Sequence, residues 1–532
     1  MNRIMLFLCA VIIALNVNAK EFKVNVSKYE KVSSGSIIRF AGGVDDYVHI
    51  VSRNDGKGKE YSLKVYDANT LQIINEVELI GKGAPFAKGF IYTKTLFADN
   101  KVIVMFETFE KKSKTHRLYA QSFTLKGEKI GKAKLINSEP SISSKRTNKY
   151  KVWPSQDSTK FIVIKTPDNK KKADLDYLLR VYDGELKNIS SAKVQLPYKN
   201  QDVRVLDYYV CNGGEVLLLV QVDKEDKEKR TDTKFFEALL VEPDGGAMSK
   251  YKIELPGKKI EDVGIRLNET DGVAVCAGFY ADIHTSAKRT KGINGVYYML
   301  IDLETKAITK AESKSLPNDI IAQLNSDKKL SNSEKKRGVS NSFSLRDIHK
   351  LENGNYYIVA EQRRDYIVTH TSQNGGTTTT HHYERGNLFT TVVSNEGEIL
   401  QFTDIPKKQH TVNDGGFALS FGTLKTGNDL VYLYNEHKRN LTKDIRNAKD
   451  LSTLKKLKGA ILVGSELKSD GTYTKTPILN NKDNKLTVMP EFMRSLGEDS
   501  GQVVVPFQKT KPRGYLGLFY STKMGVMKIS LN

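Results

Sequence analysis

Three histidines are the side chains of this sequence best suited to binding a metal ion or a charged partner. His370, His381 and His382 lie in the segment 363–386, where a Thr-rich stretch around an Asn-Gly pair predicts a long β-hairpin. With a two-residue turn at that pair, we expect His370 and His381 on one face as diagonal neighbours, within reach of a transition metal. Two histidines without a fixed third ligand rarely form a specific metal site. We therefore predict no metal and treat the three histidines as candidates for partner binding.

A second group of candidates is a basic stripe in the segment 438–459. Arg439, Lys443 and Arg446 follow one another at intervals of three or four residues, and leucines recur at similar intervals through the segment. This periodicity predicts an amphipathic helix with a basic face, ending at the glycine that closes the segment. Such a helix can bind an anionic surface, or it can simply pack its apolar stripe on its own domain.

Local catalytic motifs are absent from the sequence. It contains no nucleophile elbow, zinc-protease motif, phosphate-binding loop, calcium loop or dinucleotide fingerprint. Only two scattered cysteines follow residue 19, which excludes a Cys-rich structural zinc site. We therefore predict no catalytic residue and no cofactor. An enzyme that assembles its site from distant strands would lack such motifs as well.

Eight short runs rich in β-branched and aromatic residues must provide the scaffold for these candidates. They are the segments 47–51, 102–106, 161–165, 216–220, 273–277, 356–360, 430–434 and 503–507. Their first residues lie 55 to 59 positions apart in the first half of the chain and 73 to 83 apart in the second half. Each run follows a turn signal of Asp, Asn, Ser or Gly, and three further β-rich runs usually accompany it.

These four-stranded units resemble β-propeller blades, which repeat at a somewhat shorter period. We therefore predict an all-β fold: a propeller of about eight blades, with seven as the main competitor and tandem β-sandwich domains as the alternative. Residues 20–532 would form one domain, and the alternating segment 21–26 would complete the last blade. Insertions at 316–337, 363–386 and 438–459 would account for the longer spacings, the first and third with short helices and the second as a lengthened hairpin. In the first insertion, Ile320, Ile321 and Leu324 stand at helical spacing.

Four charged residues are expected to line the central channel of such a ring. Arg204, Asp207, Arg266 and Arg346 belong to runs that precede the strongest strand of their units, which is the position of the innermost strand of a blade. They would contact a ligand in the channel, although solvent-facing lining residues would have the same composition.

The N-terminus predicts export. Residues 1–19 combine a basic start, an apolar stretch too short to span a bilayer, and small residues at 17 and 19, which is typical of a cleaved signal peptide. The mature protein would then be periplasmic, surface-associated or extracellular, without a transmembrane segment. Cys211 and Cys276 would remain in it, as two buried free thiols rather than a disulfide.

The charge balance favours anionic partners. The formal net charge is +21, and removal of residues 1–19, whose only charged side chain is Arg3, leaves +20. Because the lysines are interleaved with acids, we predict a protein or anionic glycan partner and no specific binding of nucleic acid.

Two functions follow from these observations. The first is a non-catalytic scaffold of the cell envelope or extracellular space that binds a protein or an anionic polymer through its rim and insertions. The second is a hydrolase or lyase that degrades an extracellular polymer at the central channel. The missing motifs favour the first.

Overall fold

Eight antiparallel sheets, formed one after another along the chain, make up the structure. The computed structural model describes residues 21–32, 37–44, 46–54, 60–141, 150–165, 174–226, 231–243, 247–283, 292–325, 338–339, 343–442, 450–497, 500–513 and 519–531. The predicted signal peptide lies outside these residues. Seven of the sheets contain strands that are consecutive in the chain, as in the blades of a propeller, and the eighth combines the last strands of the chain with its first two. We number the blades 1 to 8 in chain order.

The strands of the first half alternate regularly with turns. Two strands precede blade 1, namely β1 (Phe22–Val26) and β2 (Glu30–Val32). Blade 1 contains β3 (Ile37–Val44), β4 (Tyr47–Asn54), β5 (Glu60–Asp67) and β6 (Ile73–Glu78). Blade 2 contains β7 (Ile91–Ala98), β8 (Lys101–Glu110), β9 (Thr115–Thr124) and β10 (Lys129–Pro140). Blade 3 contains β11 (Tyr150–Pro154), β12 (Lys160–Lys165), β13 (Asp174–Asp183) and β14 (Asn188–Lys199). Blade 4 contains β15 (Val203–Val210), β16 (Val216–Asp226), β17 (Thr231–Val241) and β18 (Met248–Ile253).

The second half carries the longer strands and connections. Blade 5 contains β19 (Lys258–Asn268), β20 (Val273–Asp282), β21 (Gly295–Asp302) and β22 (Ala307–Ser315), and the helix α1 (Asn318–Leu324) follows it. Blade 6 contains β23 (Phe343–Lys350), β24 (Tyr356–Thr371), β25 (Thr377–Val393), β26 (Ile399–Ile405) and β27 (Gln409–Val412). Blade 7 contains β28 (Phe421–Thr426), β29 (Asp429–His437), β30 (Ala460–Leu467) and β31 (Tyr473–Asn480). Blade 8 contains β32 (Thr487–Val488), β33 (Arg494–Ser495), β34 (Gln502–Arg513) and β35 (Phe519–Leu531).

The eight apolar runs are the second strands of the eight blades, as predicted. Segment 102–106 in β8 and segment 430–434 in β29 are buried along their whole length, because a blade packs on each face of the strand. The predicted turns also hold: Asp99 and Asn100 have φ angles of 46° and 55°, the positive values that a two-residue hairpin turn requires. The seven-bladed and β-sandwich alternatives are wrong.

The hydrophobic core is divided among the blade interfaces. The buried side chains fall into eight clusters, and each cluster joins two neighbouring blades. One of them joins blade 8 to blade 1, where Leu496 and Val504 pack with Val48 and Ile50. Since every blade packs on both neighbours, the sheets form a closed ring.

The N-terminal segment closes this ring. Strand β1 pairs with β35, from Phe22 opposite Leu531 to Val26 opposite Met527. It thereby becomes the outermost strand of blade 8, as the alternating segment 21–26 predicted. Strand β35 is covered on the edge it would otherwise expose. The Phe22 ring also packs on blade 7, directly over Gly464. A Cβ atom added to Gly464 would lie 2.5 Å from this ring, so only glycine leaves room for it.

Candidate functional site

All long connections emerge on one face of the ring. In each blade, the connection between the second and third strands leaves at the same end as the connection to the next blade. The other end carries only turns of two to six residues. We call these ends the loop-bearing face and the tight-turn face. The described parts of the three predicted insertions belong to the loop-bearing face.

The first insertion starts with the predicted helix. Ile320, Ile321 and Leu324 of α1 are buried in the cluster that joins blades 5 and 6. Residues 326–337 lie outside the described part of the chain. This helix therefore stabilises a blade interface and offers no apolar face to a partner.

The second insertion forms the predicted hairpin with a different register. His370 pairs with Thr378 and His381 pairs with Ile367, one residue away from the register expected for a two-residue turn. The tip closes between Ser372 and Gly376 through a three-residue loop whose last residue has positive φ. Residues directly opposite share a face, so His370 and His381 lie on opposite faces. The expectation that His370 and His381 share one face as diagonal neighbours is wrong.

The third histidine takes part in a contact that the sequence did not predict. His382 Nδ1 lies 3.0 Å from His410 Nε2 of β27, because β27 pairs with β25 at the base of the hairpin. Tyr366 stacks on the other side of His382, with ring centroids 4.6 Å apart, and donates a hydrogen bond to Glu384. This stack fixes the lower half of the hairpin on the ring. His370 and His381 lie on its exposed upper half.

The third insertion does not form the predicted helix in its described residues. Lys438–Asn440 and Leu457–Gly459 are single 3-10 turns, and irregular chain lies between residues 450 and 457. Lys443 and Arg446 lie outside the described residues. The backbone of Leu454 pairs instead with the strand region at Gln409, so these amides and carbonyls are committed to a neighbouring segment.

This loop is anchored firmly to the ring. The side chains of Leu451 and Leu454 are buried, with 5% and 1% exposure. Asn440 accepts a hydrogen bond from the Ser452 amide at 2.9 Å and donates one to Glu436 at 2.8 Å. The described part of the loop is thus packed on the ring.

The anchored loop presents a basic surface to solvent. Its described cationic residues are all exposed: Lys438, Arg439, Lys455, Lys456 and Lys458. The one exposed acid of its described part is Asp450. We call these five cations the basic loop patch. Among the predicted basic stripe, Arg439 belongs to it.

An alternating chain of charges supports the base of the hairpin. Arg346 and Arg363 both contact Glu491 Oε1, at 3.3 and 2.9 Å. Asp365 continues the chain by contacting Arg363 at 3.7 Å and the buried Arg385 at 2.5 Å. Predicted channel residue Arg346 is therefore engaged in fixing blade 6 to blade 8.

A fully buried ion pair lies beneath this chain. Lys407 Nζ is 2.8 Å from Glu361 Oε1, and neither side chain is exposed. Ser420 donates to the other Glu361 oxygen at 2.8 Å, and Gln409 joins the group by accepting from Lys407 at 3.2 Å. Gln409 also donates to the carbonyl of Asn435 at 2.7 Å, which extends the network into blade 7. The loop-bearing face of blades 6 and 7 is thus rigidly connected.

The innermost strands share a distortion that shapes the channel. Five of the described innermost strands have a β-bulge at the equivalent position, which makes the strand bend locally. The residues that follow the bulges are, in blade order, Gly42, Lys94, Asp207, Asp262 and Asp347. Each of the three aspartates accepts a hydrogen bond from the next backbone amide, at 2.8 to 3.0 Å.

The predicted channel residues lie on these innermost strands. Arg204 is exposed on β15, and Asp207 accepts from the Tyr209 hydroxyl at 2.9 Å. Arg266 pairs with Asp347 at 3.2 Å. Burial raises the pKa of Asp207, while its two hydrogen bonds oppose this increase.

Sequence reasoning missed a second group on the innermost strands. The pKa of Lys94 on β7 is lowered chiefly by burial. Two nearby cations, Lys151 of β11 and Arg494 of β33, lower it further. Lys94 Nζ lies 6.0 Å from the ring centroid of Trp153. The sequence did contain one indication of this group. Lys151 and Trp153 flank a buried valine, so the alternation of a β-strand places both on the same strand face.

Two negative findings apply to the described ranges alone. No group of three or more His, Cys, Asp or Glu residues there is arranged to hold a metal ion. No helix there is long and apolar enough to cross a membrane.

Comparisons with known proteins yield structural similarities only. No family model matches the chain, and no curated protein matches it in sequence. The β-propeller domain of the Trilobed protease from Pyrococcus furiosus is 11% identical with a TM-score of 0.35, covering 84% of this chain and 98% of that one. Porphyromonas gingivalis dipeptidyl peptidase 4 is 10% identical with a TM-score of 0.41, covering 90% and 58%.

Drosophila Plexin A, solved in complex with Semaphorin 1b, is 8% identical with a TM-score of 0.34, covering 94% of this chain and 86% of that one. Such distant similarities carry no argument about activity.

Proposed function

We propose that this protein is an exported, non-catalytic β-propeller that binds an anionic polymer through its loop-bearing face. The observation that carries this proposal is the basic loop patch, whose five exposed cations are presented by an anchored loop. Loops held on a rigid scaffold are where binding usually resides. The formal net charge of +20 that remains after removal of residues 1–19 adds a long-range attraction for polyanions.

The hairpin beside this patch supports a role in recognition. Beyond His381, whose backbone is hydrogen-bonded to Asn413, the hairpin consists of two strands without a third, and an isolated two-stranded ribbon is only marginally stable in water. His370 is exposed on this ribbon, His381 is exposed at its lower end on the opposite face, and Ile367 is 60% exposed. We infer that a partner bound to the basic loop patch also contacts this ribbon, with His382 holding its base.

A charge-matched substitution series tests the proposal. The variant Lys455→Gln/Lys456→Gln/Lys458→Gln removes three cations from the patch without touching the buried leucines. Its control is Lys126→Gln/Lys187→Gln/Lys468→Gln, which removes three exposed lysines from the tight-turn face. Both have the same net charge, so only the location differs.

The readout is binding to immobilised heparin and alginate at two salt concentrations. We expect the patch variant to lose at least about tenfold in affinity and the control to change little, because each cation near a polyanionic surface contributes on the order of 1 kcal/mol. Equal losses of affinity in both variants would show that the overall charge of the protein, and not the basic loop patch, determines binding. If neither polymer binds the wild type and an acidic protein does, the partner is a protein.

Export is tested separately by the mass of the mature chain. Intact-mass analysis of protein recovered from its native host should place the N-terminus at or near Lys20. A chain that retains residues 1–19 would contradict both the signal peptide and the location outside the cytoplasm.

The alternative is a polymer-degrading hydrolase or lyase at the channel, favoured by the raised pKa of Asp207. Against it, both carboxylate oxygens of Asp207 already accept hydrogen bonds that hold the local backbone and Tyr209. Asp262 is engaged in the same way by two backbone amides. Loss of polymer cleavage in Asp207→Asn, with the fold intact, would support the enzyme instead.

A further inference from the structure

Three cations on innermost strands form a group that the loop-bearing face does not use. Lys94 belongs to blade 2, Lys151 to blade 3 and Arg494 to blade 8. Blade 1 lies between blades 8 and 2, and its residue equivalent to Lys94 is Gly42, which has no side chain to separate the two cations. We call Lys94, Lys151, Arg494 and the nearby Trp153 the channel arc.

The cations of the channel arc have no anionic counterpart in the described part of the protein. No described carboxylate pairs with Lys94, Lys151 or Arg494, and the one described hydrogen bond of the Arg494 guanidinium goes to the adjacent Met493 carbonyl at 2.7 Å. Two arginines of other innermost strands are paired, Arg266 with Asp347 and Arg346 with Glu491. Grouping like charges without counterions is unfavourable, and a bound anion would remove that cost.

Two of these cations, Lys94 and Arg494, are partly desolvated by the protein around them. Arg494 has solvent-exposed surface, yet the protein around it lowers its pKa by burial. The pKa of Lys94 is lowered chiefly by burial and further by Arg494 and Lys151. In such a partly desolvated place, an electrostatic contact to a ligand is stronger than at an open surface.

Trp153 supplies an aromatic wall beside the cations. It shares a strand face with Lys151, is partly exposed, and packs at a tilt against Tyr208 with ring centroids 5.0 Å apart. A partly exposed indole fixed from behind is suited to covering an apolar or planar part of a ligand.

We propose that the channel arc is a binding site for a small oxyanion ligand, with the negative group between Lys94, Lys151 and Arg494 and its carbon skeleton against Trp153. Three cations match a multiply charged phosphate or a polycarboxylate, which share oxygen acceptors and charge. The site is distinct from the basic loop patch and does not depend on the proposed polymer binding.

Trp153 is the single tryptophan of the sequence, so its fluorescence reports on the channel arc alone. The experiment titrates the mature wild-type protein with inorganic pyrophosphate and, separately, with citrate, following Trp153 emission and the heat of binding. We expect a saturable change with at least one of them. Pyrophosphate without citrate indicates a phosphate ligand, and citrate without pyrophosphate a carboxylate ligand.

Single substitutions locate the binding. Lys151→Gln and Arg494→Gln should each weaken it by about tenfold or more, since each removes a charge-assisted contact. Lys129→Gln is the matched control, an exposed lysine on the outer strand of blade 2, and should leave the affinity unchanged. The triple substitution of the basic loop patch should leave it unchanged as well.

Three results would overturn the inference. They are the absence of both fluorescence change and heat with either anion, equal affinities in Lys151→Gln and Lys129→Gln, and loss of small-anion binding in the loop-patch variant. The last result would leave the proposed polymer binding intact, so the two proposals fail independently.

Discussion

The buried pair of Lys407 and Glu361 offers the most direct test of how the loop-bearing face is held together. Both side chains are fully buried, and burial lowers the pKa of Lys407 even though Glu361 opposes this effect. Replacing Lys407 with Met keeps the side chain's length and removes its charge. Glu361 would then be an ionised group in the protein interior, held by Ser420 at 2.8 Å and by the more distant Arg346 at 4.0 Å.

The expected cost can be derived from these distances. Removing one partner of a buried ion pair usually destabilises a protein by about 3–5 kcal/mol. Because Ser420 and Arg346 still compensate part of the Glu361 charge, we expect Lys407→Met to cost about 3 kcal/mol. The double variant Lys407→Met/Glu361→Gln contains no uncompensated charge. It should therefore be more stable than the sum of the single variants predicts, by about 2 kcal/mol.

The assay is equilibrium urea denaturation followed by circular dichroism on wild type, both single variants and the double variant. Trp153 fluorescence reports from blade 3, far from the substitution along the chain, so coincident transitions would show that the ring unfolds cooperatively. The reasoning fails if Lys407→Met costs less than about 1 kcal/mol. It also fails if the double variant equals the sum of the singles, because the two charges would then not interact.

Three further predictions concern other parts of the ring. Burial raises the pKa of Asp404 to about 7, above its value in the unfolded chain, so its stabilising contribution is full at low pH and is lost as the pH rises to 7. The free energy of unfolding should therefore fall by up to about 4 kcal/mol between pH 4 and pH 8, and unfolding curves of Asp404→Asn should show a smaller fall. Cys211 and Cys276 are buried, unbonded thiols, so a thiol reagent should titrate both in denaturant and neither in the native protein; fast native labelling would contradict their burial. Deleting Phe22–Val26 removes the outer strand of blade 8 and exposes the edge of β35. The melting temperature should fall, and light scattering should show association through that edge; an unchanged monomer would refute closure by this strand.

The parts of the fold that repeat were predictable from the sequence. Each second strand is buried on both faces, so its composition is apolar without alternation, and a turn signal precedes it. This pattern survives in blade 6 and blade 7 despite their long insertions. The closing strand was predictable because Phe22 and Val24 alternate with polar residues.

The register of the blade 6 hairpin was not predictable from its Asn-Gly pair. That pair favours a two-residue turn, but the tip uses a three-residue loop that ends at Gly375 with φ of 77°. One residue of difference moves every side chain to the other face. The expected pairing of His370 and His381 failed for this reason alone.

The described residues of the blade 7 insertion are not the predicted helix, because their leucines pack on the ring instead. Leu451 and Leu454 are three residues apart, as on a helix, but the backbone at Leu454 pairs with the start of β27 and the residue before it. A single sequence shows the spacing and not the neighbouring segment. Backbone hydrogen bonds to a neighbouring segment outweigh the helical spacing of the leucines in setting the conformation around Leu454.

The two candidate surfaces of this ring carry unpaired charges, whereas the charges inside its scaffold are paired. On the loop-bearing face, the interior charges of Glu361, Lys407 and Arg385 are satisfied by one another and by fixed polar groups. They hold loops whose exposed cations lie in water, where unpaired charge costs little and attracts polyanions over long distances. In the channel arc, by contrast, cations are grouped and partly buried, and no carboxylate of the described residues pairs with them. Because such grouping lowers stability, a small ligand that neutralises it is the simplest physical reason for its presence.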